Sequence, residues 1–279
     1  MRRRHLPAGG LAGLASLFWF APLVGQHPIE GSEWSVEMIR PTGQLVAPVF
    51  EGHYPNPDGT HSLVFGYHNL NTEEVVEIPL GPDNYIEPSQ YDGMQPSHFD
   101  PVPSNGARRH WGVFTVIVPE DFGDQDVTWN LRHRDYQWSI PGNLRSPHYL
   151  LDSVDTDARN THAPVMNFAP DDEGWRGRDG RVAGPLSARV GQPLSLGIWV
   201  YPDPSPQNLV WWFKHQGPGD VTFSQWESTV GQEGGEATTM ATFSEPGEYM
   251  LRVKAVENIA TIEFHCCWTN AYVRVSVTE

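Results

Sequence analysis

The sequence has 279 residues, of which 39% are hydrophobic, and a formal net charge of −16. This length allows two sandwich domains of about 100 residues each, and eleven tryptophans argue against a disordered chain. The excess of acidic side chains argues against nucleic acid and anionic membrane surfaces as partners.

The N-terminus has the pattern of a signal peptide. Three arginines, Arg2 to Arg4, precede an apolar run at residues 11–24. This run has the length of a signal-peptide core and is too short to favour a membrane span. We expect cleavage near Gln26, so residues 1–26 are interpreted as a signal peptide and the protein as periplasmic or secreted. The remaining chain keeps 15 of the 18 basic side chains against 34 acidic ones, a net charge of −19, and it contains no stretch that predicts a membrane span.

Residues 27–152 are predicted to form a first β-sandwich domain. Alternating apolar and polar residues predict several strands. These strands fall at residues 46–54, 62–69, 74–80, 111–118, 127–134 and 137–140. Residues 81–110 contain five prolines and no clear periodicity, but they include several aromatic side chains. We interpret this segment as an ordered flap and as the best candidate binding surface of the first domain.

Residues 153–184 are interpreted as a solvated linker, because proline, glycine and charged residues interrupt any core pattern there. A second domain, residues 185–279, follows. Leu209, Trp211 and Phe213 share one strand face, and a tryptophan in this strand is the usual core residue of an immunoglobulin-like sandwich.

The last two strands have the clearest alternation in the chain. The turn Glu245-Pro246-Gly247 precedes the first of them. Period-two alternation predicts that one face of each strand is buried. The predicted inward residues are Tyr249, Leu251, Val253, Ala255, Ala271, Val273, Val275 and Val277. The fold class predicted from these patterns is all-β, with two tandem β-sandwich domains.

Two stretches of the second domain resemble an immunoglobulin-like domain of the polycystic-kidney-disease (PKD) type. They are Trp211-Trp-Phe-Lys214 to Ser224, and Ala241-Thr-Phe-Ser-Glu-Pro-Gly-Glu-Tyr-Met-Leu-Arg-Val253. The closing Cys-Cys-Trp-Thr-Asn motif is similar to the end of a family of uncharacterised exported bacterial proteins. The resemblance implies a spacer or binding module, and it implies no particular activity.

The only two cysteines, Cys266 and Cys267, are adjacent. Consecutive Cα atoms lie about 3.8 Å apart, which is shorter than in ordinary disulfides. Three interpretations remain open: a vicinal disulfide, two reduced thiols, or a bridge to another chain. Because export favours oxidation, we predict the vicinal disulfide. Beside Trp268 it would form a rigid apolar loop tip.

A cationic and aromatic face is predicted opposite the buried face of three strands in the second domain. It includes Lys214 and Lys254, the only lysines of the protein. Such a face is suited to an acidic polysaccharide or an acidic partner protein. Alternatively its cations pair with nearby glutamates, or the face docks on the acidic first domain. The predicted ligand-binding residues are Trp212, Lys214, Arg252, Lys254, Tyr272 and Arg274, with Trp268 from the cysteine loop.

The sequence predicts no cofactor and no metal site. Asp121, Asp124 and Asp126 carry oxygen ligands that suit calcium, but an ordinary acidic turn explains them equally well. Common motifs of hydrolases, metalloproteases and nucleotide-binding enzymes are absent from the sequence. We therefore expect an exported, non-enzymatic binding module. The alternatives are a polysaccharide hydrolase or lyase with its site under residues 81–110, and a structural spacer.

Overall fold

The computed structural model describes residues 40–101, 109–152, 162–202, 207–257 and 267–279. All of them belong to one compact unit, Ile39–Glu279. The predicted signal peptide lies outside the described residues.

The described residues up to 152, here called the N-terminal half, form eight strands. They are β1 (Val46–Pro55), β2 (His61–Asn69), β3 (Val76–Glu77), β4 (Asn84–Glu87), β5 (His98–Phe99), β6 (His110–Val118), β7 (Val127–His133) and β8 (Tyr136–Gly142). One antiparallel sheet has the order β1-β2-β6, a second has the order β4-β7-β8, and β3 pairs with β5. An aromatic cluster fills the core between them: the Phe114 ring lies 5.2 Å from that of Phe65 and 5.0 Å from that of Trp129.

The described residues from 162 onwards, here called the C-terminal half, form nine strands. They are β9 (Met166–Asn167), β10 (Arg181–Arg189), β11 (Leu194–Val200), β12 (Gln207–Gln216), β13 (Val221–Phe223), β14 (Glu227–Gly231), β15 (Gly235–Phe243), β16 (Gly247–Glu257) and β17 (Trp268–Thr278). A five-stranded sheet, β10-β17-β16-β12-β14, faces a four-stranded sheet, β13-β15-β11-β9. This order is that of the two sheets of an immunoglobulin-like sandwich.

The prediction of an all-β fold with an immunoglobulin-like C-terminal sandwich is confirmed. Its inward residues on β16 and β17 are buried in one core as expected, including Leu251, Val253 and Val275. Tyr249 adds the corner contact of such folds, because its hydroxyl donates a 2.8 Å hydrogen bond to the Glu245 carbonyl.

The face predicted for β12 is wrong. Trp212 is 2% exposed and packs in the sandwich core with Val210, whereas Trp211 lies on the opposite face. Register explains this difference, because Trp211 pairs with Lys254 and Trp212 pairs with the inward residue Val253. Three consecutive aromatic residues do not alternate with polar ones, so only the pairing with the neighbouring strand determines which of them face the core.

The segment interpreted as a solvated linker contributes to the C-terminal sandwich. Its described residues include β9, which pairs with β11, and the start of β10, which pairs in parallel with β17. Trp175 is buried, and its indole nitrogen donates a 2.9 Å hydrogen bond to the Asn270 carbonyl. The boundaries of the two predicted domains stay a prediction.

The described residues of the predicted flap, 81–101 and 109–110, include β4, β5 and a 3₁₀ turn (Ser89–Tyr91). Its backbone contacts the C-terminal half, since the Ser97 amide donates to the His215 carbonyl at 2.9 Å. No helix among the described residues is long and apolar enough to cross a bilayer.

Candidate functional site

Strand β6 has a bulge at its start. Its pairing with β2 shifts register between Phe65 and Tyr67, and Gly112 adopts a left-handed φ of 53°. A Cβ atom at Gly112 would lie 2.1 Å from the Trp268 ring of the C-terminal half. Glycine is therefore required here both for the backbone conformation and for the close approach of the two halves.

The bulge directs three consecutive carbonyl groups at the five-stranded sheet. Four side chains of that sheet donate hydrogen bonds to them. The bonds run from Lys254 Nζ to Trp111 O (3.2 Å), from Arg252 Nη1 and Asn270 Nδ2 to Gly112 O (3.2 and 3.0 Å), and from Tyr272 Oη to Val113 O (2.9 Å). We call this contact the junction. The term also covers the neighbouring contacts of the flap with β12.

Glu51 lies beneath the bulge, at a register shift in β1. Its Oε2 atom accepts a 2.9 Å hydrogen bond from the Gly112 amide. Burial raises the pKa of Glu51, against the opposing effect of nearby Arg109 and Lys254. Burial also lowers the pKa of Lys254. Each of the two charges partly offsets the effect of burial on the pKa of the other, because a nearby opposite charge favours the charged form.

A second polar cluster joins the flap to β12. Lys214 Nζ lies 2.7 Å from Glu77 Oε1, and His98 places Nδ1 2.6 Å from the same oxygen and Nε2 3.2 Å from Asp100 Oδ1. Burial alone would lower the pKa of His98, but the hydrogen bonds and charges of Asp100 and Glu77 overcome it and raise the pKa to about 9. The cluster is therefore a charged chain that crosses the junction.

Two buried histidines hold flap carbonyls at the junction. His215 Nε2 lies 2.8 Å from the Met94 carbonyl, and His110 Nε2 lies 2.8 Å from the Pro101 carbonyl. Burial lowers the pKa of His110 to about 4 and that of His215 to about 3. Both rings are neutral near physiological pH, so they add no further positive charge beside the buried guanidinium of Arg252.

The segment interpreted as a linker also contacts both halves. Its Arg178 side chain is completely buried, with the guanidinium 4.9 Å from the Tyr54 ring and 5.0 Å from the Trp268 ring. The hydroxyl of Tyr54 donates a 3.0 Å hydrogen bond to Asp179 Oδ1. These residues attach the N-terminal half along a second line of contact.

The predicted ligand-binding residues are mostly inaccessible. Lys214, Arg252, Trp268 and Tyr272 are each at most 5% exposed. Lys254 lies in the junction with them, and Trp212 lies in the sandwich core. Arg274 is exposed. The expectation of an external ligand is therefore wrong for Lys214, Arg252, Lys254 and Tyr272, because the N-terminal half occupies their face, and for Arg274 it stays a prediction. The alternative of docking on the acidic first domain describes the arrangement that is found.

Local sequence signals for the junction are sparse. Gly112 interrupts an alternating strand, which is a recognised sign of a bulge or of close backbone approach. Glu51, His98 and Arg178 gave no such sign. Their contacts form only when distant parts of the chain fold together, as for Glu51 with Gly112, His98 with Glu77 and Arg178 with Tyr54, so sequence periodicity could not have found them.

Cys267 is buried and disulfide-bonded. It has a left-handed φ of 86° and packs with Trp268 and Val256 in a small apolar cluster. Cys266 lies outside the described residues, so the vicinal pairing stays a prediction. The cluster also includes Trp111 of the N-terminal half, which places Cys267 near the junction rather than at an exposed tip.

The described residues contain no group of three or more histidine, cysteine or acidic side chains positioned to hold a metal. At the acidic turn, Asp126 Oδ1 lies 2.8 Å from an Arg145 guanidinium nitrogen, and the Asp124 carbonyl accepts another hydrogen bond from the same side chain. This geometry matches the ordinary-turn interpretation.

An open cleft lies on the outer face of the β4-β7-β8 sheet. Its volume is about 210 Å³. The lining residues come from all three strands and from the turn before β4, and they are Pro82, Asp83, Tyr85, Asn130, Leu131, Arg132 and Gln137. Strand register sets Tyr85 beside Asn130 and Arg132 beside Gln137. This cleft is a candidate ligand site. Pro82, Asp83 and Tyr85 belong to the predicted flap, whereas nothing in the sequence indicated the contributions from β7 and β8.

A second cleft, of about 380 Å³, lies beside Trp199 and Tyr201 in the C-terminal half. The hydroxyl of Tyr201 already donates a 2.8 Å hydrogen bond to the Asp172 carbonyl. The lining of this cleft includes Pro202, the last residue before a part of the chain that the structure does not describe.

No protein-family model matches the chain, and no curated protein matches it. Among solved structures, PapD-like domain 7 of human CEP192 is similar over 49% of this chain and 94% of its own, with 8% identity and a TM-score of 0.30. A protein of unknown function from Porphyromonas gingivalis W83 covers 83% of this chain and 99% of its own, with 8% identity and a TM-score of 0.24.

CfaE, the adhesive subunit of CFA/I fimbria of enterotoxigenic Escherichia coli, covers 84% of this chain and 87% of its own, with 9% identity and a TM-score of 0.24. At such low scores these likenesses carry no argument about function. The β-sandwich class itself is compatible with a non-enzymatic binding or interaction module, and no specific partner follows from it.

Proposed function

We propose that the protein is an exported, non-enzymatic binding module whose two halves act as one body. The observation that carries this proposal is the position of the flap. Its described residues pack on β12, where Gln216 Nε2 donates hydrogen bonds to the Gly93 and Gln95 carbonyls at 2.9 and 2.7 Å. The flap surface around Gly93, Gln95 and Ser97 is therefore used for docking, and the space beneath it, where a hydrolase or lyase site was expected, is filled by β12.

The titratable groups of the junction support the same conclusion. A catalytic acid or base needs access to substrate as well as a shifted pKa. Glu51, His110 and His215 have strongly shifted pKa values, but each is at most 9% exposed. Burial in a structural contact accounts for these shifts without a reaction.

Binding without turnover tests the proposal. The purified protein would be applied to an array of polysaccharides, and each one that retains it would then be incubated with it in solution. We expect retention with no new reducing ends and no unsaturated products. Product formation in proportion to the added protein would contradict the non-enzymatic assignment, and absence of any ligand, glycan or protein, would favour a structural spacer.

Export is tested separately. N-terminal sequencing of protein recovered from the periplasmic or secreted fraction should give a chain that begins near Gln26. Recovery of the uncleaved chain from the cytoplasm alone would contradict export and would leave the binding assignment untouched.

A further inference from the structure

The cleft on the outer face of the β4-β7-β8 sheet has the chemistry of a site for a small polar ligand. Its volume of about 210 Å³ is below the roughly 300–1,000 Å³ of sites for drug-sized ligands. Tyr85 supplies a half-buried aromatic ring on one strand. Asn130 and Gln137 supply amides on the next two strands, and each amide presents a donor and an acceptor side by side.

Neighbouring groups hold part of this site in a fixed arrangement. Asn130 is 5% exposed; its Oδ1 atom accepts a 2.7 Å hydrogen bond from the Ser139 hydroxyl, and its Nδ2 atom donates to Glu87 Oε2 and to the Thr128 carbonyl, each at 3.4 Å. Arg132 Nε donates a 2.6 Å hydrogen bond to Asp83 Oδ1, and the Arg132 amide donates to the Asp83 carbonyl at 2.7 Å. The arginine is thereby held by the turn before β4. A preorganised set of polar groups loses less entropy when a ligand binds.

Other groups remain available to a ligand. Gln137 is exposed, and its side chain has no hydrogen-bond partner among the residues that the structure describes. The hydroxyl of Tyr85 likewise has none there. Tyr85 and Gln137 lie on the two outer strands of the sheet, with β7 between them, so a ring for stacking and an exposed amide line different sides of one small site.

The charge of the cleft selects among polar ligands. Arg132 and Asp83 neutralise each other as an ion pair, and the remaining lining side chains are uncharged. An acidic sugar would find no unpaired cation here, whereas the hydroxyl groups of a neutral sugar both donate and accept hydrogen bonds. The apolar C–H face of a pyranose ring would pack on Tyr85.

We propose that this cleft binds one ring of a neutral saccharide, through stacking on Tyr85 and hydrogen bonds to Arg132 and Gln137, with Asn130 forming the floor between them. The inference rests on the proposed binding function and replaces the acidic glycan expected from the cationic face. Arg132 donates from the guanidinium nitrogens that Asp83 does not occupy, since a guanidinium group has five N–H donors.

The test is calorimetric titration of the full chain with named neutral oligosaccharides: cellohexaose, laminarihexaose, mannohexaose and xylohexaose. Oligogalacturonate serves as the acidic comparison. We expect binding to at least one neutral oligosaccharide. Gln137→Ala and Tyr85→Ala should each weaken that binding by about tenfold or more, while the melting temperature of Gln137→Ala stays unchanged.

Tyr136→Ala provides the matched control. Tyr136 is a 52% exposed tyrosine on β8, and it does not line the cleft. Its removal should leave saccharide affinity unchanged. Equal loss of affinity in Tyr136→Ala and Tyr85→Ala would overturn the assignment of the cleft.

The remaining outcomes separate this inference from the function on which it rests. Neutral saccharide binding that survives both Tyr85→Ala and Gln137→Ala would overturn the site but support the binding function. Binding of oligogalacturonate alone would overturn the neutral class of ligand. A wild-type protein that binds no saccharide but binds a protein ligand would overturn the inference and leave the proposed function standing.

Discussion

Two sheet faces of this molecule carry polar and aromatic side chains, but one face is buried and the other is exposed to solvent. In the junction face of the five-stranded sheet, Arg252 and Tyr272 are buried and donate to backbone carbonyls of the β6 bulge. On the outer face of the β4-β7-β8 sheet, Arg132 and Gln137 remain exposed to solvent. Similar residue types therefore stabilise the fold in one place and are available for binding in the other.

The difference lies in what each face meets rather than in its own pattern. The junction face meets a strand with a bulge, whose carbonyl groups are turned away from their sheet and need donors. Within the described part of the chain, the outer face carries local pairs such as that of Arg132 with Asp83 from the adjoining turn. The acidic N-terminal half thus contacts cations that the sequence alone predicted to face solvent.

The largest difference in stability between the two regions is expected when one arginine in each is replaced by alanine. Arg252 is 3% exposed, and its guanidinium lies 4.6 Å over the Phe213 ring in addition to its hydrogen bond to the bulge. We expect Arg252→Ala to lower the free energy of unfolding by roughly 3 kcal/mol, because buried acidic groups lose a compensating charge. Urea unfolding measures this change.

Arg132→Ala is the matched replacement on the open face. The Arg132 side chain is 57% exposed, and a surface ion pair contributes about 0–1 kcal/mol. Equal losses in Arg252→Ala and Arg132→Ala would show that the junction contributes no special stability.

The close approach of the halves at Gly112 gives the next largest expected effect. Alanine there must adopt a left-handed φ and must also displace the Trp268 ring. We expect Gly112→Ala to cost roughly 2–3 kcal/mol in urea unfolding. Gly191→Ala is the control, because Gly191 has a similar φ of 70° but no atom within 4 Å of the added Cβ. A cost no larger than that of Gly191→Ala would mean that Trp268 does not pack on the bulge.

The charged chain through His98 should make the junction sensitive to alkaline pH. The pKa of His98 is raised from 6.5 to about 9 in the folded state, so its contribution is fully present below pH 6.5 and is lost as pH rises through about 9. A pKa raised from 6.5 to about 9 corresponds to roughly 3 kcal/mol, at about 1.4 kcal/mol per pH unit. Melting temperatures across this window should fall more steeply for the wild type than for His98→Gln.

His148→Gln is the control for that series, because His148 is an exposed histidine outside the junction. Its pH profile should follow the wild type. Parallel profiles for His98→Gln and the wild type would contradict a charged His98 between Glu77 and Asp100.

The sequence predicted the strands well where a strand has one buried face. The alternation of Tyr249, Leu251 and Val253 identified the inward face of β16, because a half-buried strand has a period of two. The run Trp211-Trp212-Phe213 has no such period, and its face was assigned wrongly. Strands β4 and β5 are short and lie among prolines, so local propensity gave no sign of them.

The candidate sites were harder to predict for a different reason. Alternation correctly placed Arg252 and Lys254 opposite the core of their sheet, but a period of two does not reveal whether the second face meets solvent or protein. The cleft beside Tyr85 depends on the register of three strands. The sequence of a single strand does not determine whether its outer face is covered by another part of the protein. It also does not determine which residues of neighbouring strands lie beside it.

Amine labelling of the native protein tests the central claim most directly, because Lys214 and Lys254 are its only lysines. Mass spectrometry of peptides after brief reaction with an amine-reactive ester would compare the folded protein with the same protein in urea. Burial predicts that Lys214, whose side chain is 3% exposed, and Lys254 are strongly protected until the protein unfolds. Modification of both lysines in the folded protein at the rate found in urea would contradict a junction that covers this face.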